Sequence, residues 1–202
     1  RVRQAPQTGK LHVLHQTGLE SYLRGVSEMP ESWPTEALRA QVLASRSFAV
    51  HRLITVGAPA TFTEALQELC WCNLFSTAAD QVYGGYTAQV AHPLWTALVN
   101  ASLGQLIAFQ GSVALTVFSS SSGGATENNA DYWGAAQVPY LVSVDIAATE
   151  DLSMYVGGGP YEGVGELFVR PLDLSLPLGE IHQIHGEPPY RREVFMTINQ
   201  EV

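Results

Sequence analysis

The sequence predicts an α+β fold: a helix-loop-helix region packed on mixed or antiparallel β-strands, with a Gly/Pro-rich β extension at the C-terminal end. Three observations carry this. Residues 35–54 run without Gly or Pro and repeat apolar side chains at helical spacing. Residues 106–109 and 113–118 are β-rich runs separated by Gln110-Gly111, which reads as a hairpin. No internal repeat is present, so the helices come early and the strands late in one non-repetitive order.

Taken along the chain, residues 10–15 alternate as a strand does. Thr17-Gly18-Leu19-Glu20 has the capping-box pattern and should open a helix to about Arg24, which Gly25 and then Pro30 close. Residues 27–34 hold too many turn formers for a helix and form a loop. Pro34 suits the start of the long helix, whose core stripe is Leu38, Val42, Ser45, Ala49 and Leu53. Arg39 and Arg46 lie seven residues apart, on one side next to that stripe.

Residues 55–86 read as loop, with a short strand within 70–75. Residues 93–101 suggest a short helix ended by Gly104. After the hairpin come the Ser/Gly tract 119–124 and a strand at 140–144. Residues 146–202 are Gly/Pro-rich, with strand-like pieces at 167–169 and 193–198. The organisation expected is therefore a domain over 1–145 and a β extension over 146–202, either separate or completing the same sheet.

Composition sets limits on function. A chain of 202 residues with 46% hydrophobic and 14% charged residues can bury a core and is not disordered. No run approaches the length of a membrane helix, so no membrane span is expected in this sequence. Residues 1–10 lack the apolar stretch of a signal peptide, so an export signal should lie elsewhere or have been removed. A net charge of -9, without a basic block, argues against a nucleic-acid partner. An anionic substrate would need a locally positive groove.

Cys70 and Cys72 form a C-x-C pair. Zinc would need two more ligands, the nearest histidines being His51 and His92, and a disulfide across one residue is strained. The pair therefore reads as two half-buried thiols near a strand edge. His12/His15 and His182/His185 lack acidic or thiol companions and read as structural or surface residues, so neither a metal nor a cofactor is expected. Trp33, Trp71, Trp95 and Trp133 are core or sugar-stacking candidates, Trp33 with the strongest claim because it neighbours Glu28.

Glu28 lies on the turn-rich loop between the two helices, with Met29, Pro30 and Trp33 around it. Apolar neighbours raise a carboxyl pKa and keep the acid protonated near neutral pH, as cleavage of a glycosidic bond requires. The wider pattern is more specific. Residues 22–30, then Trp33-Pro34, Glu36-Ala37-Leu38-Arg39-Ala40-Gln41 and Ala44-Ser45-Arg46-Ser47-Phe48-Ala49 resemble the signature of the stage II sporulation protein D family, the SpoIID/LytB domain. Gln81-Val82-Tyr83-Gly84-Gly85 is similar to its Q-x-Y-x-G segment, residues 119–126 to its S-x-S-G-G-x-T loop, and Pro139-Tyr140-Leu141 to its P-Y-L strand start. The resemblance covers roughly residues 8–145.

The resemblance implies lytic transglycosylase activity on peptidoglycan glycan strands, an extracytoplasmic location, and Glu28 as the general acid/base. It implies substrate contacts from Arg39, Arg46, Tyr140, Gln81, Ser121, Gly123, Gly124, Thr126 and Trp33. Arg39 stands where family members often carry Lys, exchanging a point donor for a planar fork. One carboxyl suffices if the muramoyl 6-hydroxyl closes on the anomeric carbon, whereas a hydrolase needs a second carboxylate. Glu31 and Glu36 are nearest in sequence, and read as solvated loop and helix-dipole partner. Two alternatives stand beside this reading: a glycoside hydrolase, and a non-catalytic glycan binder that enhances a cell-wall amidase.

Overall fold

The computed structural model describes residues 1–119 and 125–144, together with the backbone of four strands beyond them. The architecture is α+β, with helices packed beside small, mainly antiparallel sheets. β1 (Val2–Gln4), which the sequence pattern did not single out, pairs antiparallel with β2 (Leu11–Gly18). α1 (Leu19–Arg24) follows directly. Its N-cap is Gly18 without a side-chain cap bond, so the capping box expected at Thr17 does not form. Glu20, its would-be partner, is engaged by Arg46 instead.

α2 (Thr35–Val56) is the spine of the fold. Gly57, at φ 81, ends it while its N–H bonds back to Leu53 O. The expected stripe is buried throughout: Leu38, Val42, Ser45, Ala49 and Leu53 all face the interior. Burying each Leu or Val contributes roughly 1.5–3 kcal/mol before entropy is counted. They meet Tyr22 and Leu23 of α1 and, further along the chain, Trp95, Leu98 and Val99, which together form the main core.

The segment read as loop contains two short helices, α3 (Glu64–Leu69) and α4 (Gly85–Ala91), with β3 (Leu74–Phe75) between them. Both helices are brief, so neither shows two full turns of apolar periodicity. α3 is nonetheless capped by Thr63, whose hydroxyl accepts from Leu66 N. α5 (Pro93–Ala101) matches the expected bounds. β4 (Gln105–Phe109) and β5 (Ser112–Val113) form the hairpin, with Gln110 and Gly111 both at positive φ, as a two-residue primed turn requires. The second strand is shorter than expected. After β6 (Phe118–Ser119) comes α6 (Asn129–Trp133), unforeseen in the sequence.

Residues 140–144 do not form the expected strand. Tyr140 and Leu141 occupy a turn closed by Leu141 N to Val138 O, and the following residues pair through Thr126 N to Val144 O. Phe109, Ala114, Tyr140 and Leu141 make a second, smaller core. The remaining strands are β7 (Tyr155–Val156), β8 (Leu167–Pro171), β9 (Ile184–His185) and β10 (Glu193–Gln200). β10 lies between β2 and β3, antiparallel to the first and parallel to the second, and β8 pairs antiparallel with β4. Among the described residues, no helix is long and apolar enough to cross a membrane.

Candidate active site

Glu28 is positioned by a short antiparallel ladder between the end of α1 and the loop before α4. Gly84 N donates to Gly25 O at 2.9 Å, Val26 bridges Tyr83, and Ser27 N donates to Val82 O at 2.9 Å. The ladder ends on the carboxylate: Val82 N donates to Glu28 Oε1 at 3.1 Å. Gly25 is needed here, because an added Cβ would sit 2.5 Å from the Tyr83 ring and 2.9 Å from the Gly85 backbone.

The second oxygen, Oε2, is buried and has no hydrogen-bond partner among the described residues. Burial therefore dominates and raises the Glu28 pKa from 4.5 to about 7, while the Val82 N–H pulls the other way. Met29 and Trp33, the apolar neighbours noted in sequence, are partly buried and pack against the main core. Tyr22 is buried, and its hydroxyl is pushed well above its ordinary range by desolvation and by the nearby Glu28, Asp80 and Tyr83. It stays neutral.

Glu31 is not solvated loop. Its Oε1 accepts from the backbone N–H groups of Leu94 and Trp95, so it closes the N-terminal turn of α5, where a carboxylate is favoured. Glu36 is exposed and lies 3.7 Å from Arg39, itself exposed. Neither carboxylate is paired with Glu28. On the other side of the site, Ser27 Oγ lies 3.4 Å from His92 Nε2.

The expected substrate-contacting residues scatter. Arg46 is fully buried and faces inward: Nε and Nη2 grip Glu20 at 3.0 Å each, and the remaining donors reach Ser102 Oγ, Gln105 O and Val99 O. All five of its N–H groups are occupied, so it lines no groove. Position 46 borders the core stripe, and Glu20 on α1 closes over it as counter-charge. Tyr140 sits in the second core, its ring 4.8 Å from Phe109 and its hydroxyl accepting from Leu115 N at 2.7 Å. The Thr126 hydroxyl donates to Val142 O and accepts from Val144 N. Gln81 is completely buried. Trp33 and Arg39 keep exposed surface, and Ser121, Gly123 and Gly124 lie outside the described residues.

Cys70 and Cys72 form a disulfide, against the expectation of free thiols, with Cα atoms 5.2 Å apart. The chain turns between them at Trp71, a non-glycine residue at φ 54, which brings the two side chains together. Arg3 covers the Trp71 ring, 5.5 Å from its centroid. With both sulfurs bonded, neither is a thiolate ligand, and among the described residues no His/Cys/Asp/Glu cluster could hold a metal.

Residues 7–109, which contain the whole ladder around Glu28, match the family model SpoIID, described as Stage II sporulation protein. The chain belongs to the SpoIID family. It is 33% identical over 161 residues to a Bacillus subtilis (strain 168) protein named "Amidase enhancer", covering 77% of this chain and 19% of that one. It is 31% identical over 137 residues to the "Stage II sporulation protein D" of Bacillus amyloliquefaciens, covering 66% of this chain and 40% of that one. The Bacillus subtilis (strain 168) protein of the same name is 32% identical over 130 residues, which is 62% of this chain and 38% of the relative. The chain thus spans less than half the length of each of these relatives. The SpoIID match ends before Thr126 and Tyr140, the two described candidates that sit farthest along the chain.

Proposed function

We propose that this SpoIID domain acts outside the cytoplasm on the cell wall, as a lytic transglycosylase of peptidoglycan glycan strands with Glu28 as general acid/base. The observation that carries the reading is the Glu28 carboxyl: desolvated, with a pKa of about 7, and hydrogen-bonded among the described residues at one oxygen only. A backbone N–H on Oε1 leaves the proton on Oε2. Oε2 gives that proton to the oxygen bridging N-acetylmuramic acid and N-acetylglucosamine as the anomeric C–O bond breaks. The resulting carboxylate then takes the proton of the muramoyl 6-hydroxyl, whose oxygen bonds to the anomeric carbon and leaves a 1,6-anhydro end. No water is consumed.

The placement of the two carboxylates nearest Glu28 in sequence supports a single-carboxyl route. A hydrolase needs a partner about 5–9 Å away, and Glu31 is taken by α5 while Glu36 faces solvent beside Arg39. Because Oε2 is covered, a substrate oxygen reaches it only after the side chain or its surroundings shift, a common difference between free and substrate-bound sites. Trp33 and Arg39 are the exposed candidates left to meet a sugar face and an anionic muramoyl group.

The name of the Bacillus subtilis relative favours a second reading, a glycan binder that stimulates a cell-wall amidase. Mass spectrometry of denuded glycan strands separates the two. Anhydromuramoyl ends that vanish with Glu28→Ala support the first, and reducing ends indicate hydrolysis. Binding without cleavage, together with a faster partner amidase, supports the second.

A further inference from the structure

The loop that presents Val82 to Glu28 alternates between interior and solvent: Gln81 is buried, Val82 exposed, Tyr83 buried and Gly84 exposed. That is the period of extended chain, and a one-residue slip would turn every side chain over. It would also offer Glu28 a different N–H. Tyr83 alone would fix the register poorly, since Val82 is apolar too and would accept the interior. Gln81 is what makes a slip expensive.

Its side-chain oxygen accepts from the Tyr22 hydroxyl at 2.8 Å, and its nitrogen donates to Ser45 O at 3.4 Å. Tyr22 belongs to α1 and Ser45 to α2, so one amide ties the loop to both helices. Ser45 also holds Gln41, whose amide donates to its hydroxyl at 3.1 Å. Tyr22 is held in turn by Tyr83, stacked at 5.2 Å, whose hydroxyl meets His15 Nδ1 on β2 at 2.9 Å. A slip that puts Val82 in the place of Gln81 leaves the Tyr22 hydroxyl unpaired in the interior, and one that puts Asp80 there takes a carboxylate away from Arg52 and into the core, costs that apolar packing does not carry.

We infer that Tyr22 and Gln81 are positioning residues for Glu28: their buried hydrogen bond sets the register of the 81–84 loop, and through it the single backbone N–H that Glu28 receives. Gln81 has no exposed surface, so it acts through Val82 and touches no substrate. The inference rests on Glu28 being the acid/base, but its test is read on the Glu28 proton itself, independently of turnover.

The variants are Gln81→Met, which keeps length and loses both amide groups, Tyr22→Phe, which keeps the stack on Tyr83, and the two combined. In protein labelled with 13C at Glu carboxyls, the Glu28 resonance is identified by its loss in Glu28→Gln. Each single variant should displace its titration midpoint from about 7 by about half a pH unit or more, upward where the loop only withdraws the Val82 N–H and downward where the released loop also admits water. Turnover on denuded glycan should fall about tenfold with KM little changed, the pattern of a displaced reacting group.

The double variant separates positioning from plain stability. Removing both members of a buried pair restores stability, so its urea midpoint should return toward the parent while the Glu28 midpoint stays displaced. A Glu28 midpoint within about 0.3 pH unit of the parent in folded single variants overturns the inference. So does a double variant in which stability and Glu28 recover together. If Gln81→Met does not fold, Tyr22→Phe decides alone. If the parent cleaves no glycan, the acid/base reading fails while the midpoint comparison still decides the positioning role.

Discussion

Replacing Glu28 by Gln should stabilise this protein at alkaline pH and leave it almost unchanged in acid. Glu28 has a folded pKa of about 7 against an ordinary 4.5, raised chiefly by burial. The folded state therefore binds the proton more tightly, and between these values stability falls as pH rises. Below about pH 4.5 both states carry the proton and nothing is lost. The rise from 4.5 to about 7, at 1.4 kcal/mol per pH unit, corresponds to about 3.4 kcal/mol, and discounting for the partly exposed side chain leaves about 2 kcal/mol.

A glutamine resembles the protonated acid: its oxygen can take the Val82 N–H while its amide fills the place of Oε2. It escapes the cost of ionisation. At pH 8 its melting temperature should exceed the parent's by about 4–8 °C, and near pH 4.5 the two should coincide. Calorimetry across pH 4.5–8 measures this directly. Equal melting temperatures at pH 8, or an offset that does not vary with pH, would show that the carboxyl is solvated and that the basis for its acid role is wrong.

Four further outcomes follow from the same geometry. Cleavage rates should decline above about pH 7 as Glu28 loses the proton it must donate, read from kcat/KM against pH. Arg46→Ala should lower stability by about 3–5 kcal/mol in urea unfolding, because Glu20 and two interior carbonyls lose their partner. Glu31→Ala should lower stability by about 1 kcal/mol by opening the first turn of α5, again read in urea. Converting Cys70 and Cys72 to Ala should lower stability by only about 1.5 kcal/mol, since the disulfide closes a loop of three residues, and a reductant titration of the parent should show a loss of the same size.

The α+β class, α2, α5 and the hairpin were legible because each shows a pattern longer than one turn or a turn with a specific residue requirement. α3, α4 and α6 were not, being five to seven residues long and held by neighbours rather than by periodicity. Glu28 was singled out by the ordered motifs around it more than by its apolar neighbours. Its hydrogen-bond donor was not, because a backbone N–H has no residue identity to read and Val82 is distant in sequence. Arg46 was misplaced for a related reason: a helix arginine beside the core stripe faces either a groove or a buried counter-charge, and only the packing of α1 reveals Glu20.

The fate of Arg46 changes the electrostatic argument as well. An acidic chain of net charge -9 needs local positive charge to hold an anionic glycan, and two arginines on one side of α2 were expected to supply it. One is neutralised inside the protein, and the other, Arg39, has among the described residues only the exposed Glu36 at 3.7 Å as an ion-pair partner. A pair so exposed holds its geometry weakly and is readily exchanged for a better ligand. Its guanidinium can then fork onto a carboxylate, which the point charge of a lysine cannot do. With Arg46 withdrawn into the core, Arg39 is the member of this pair that the proposed function leaves to meet such an anion.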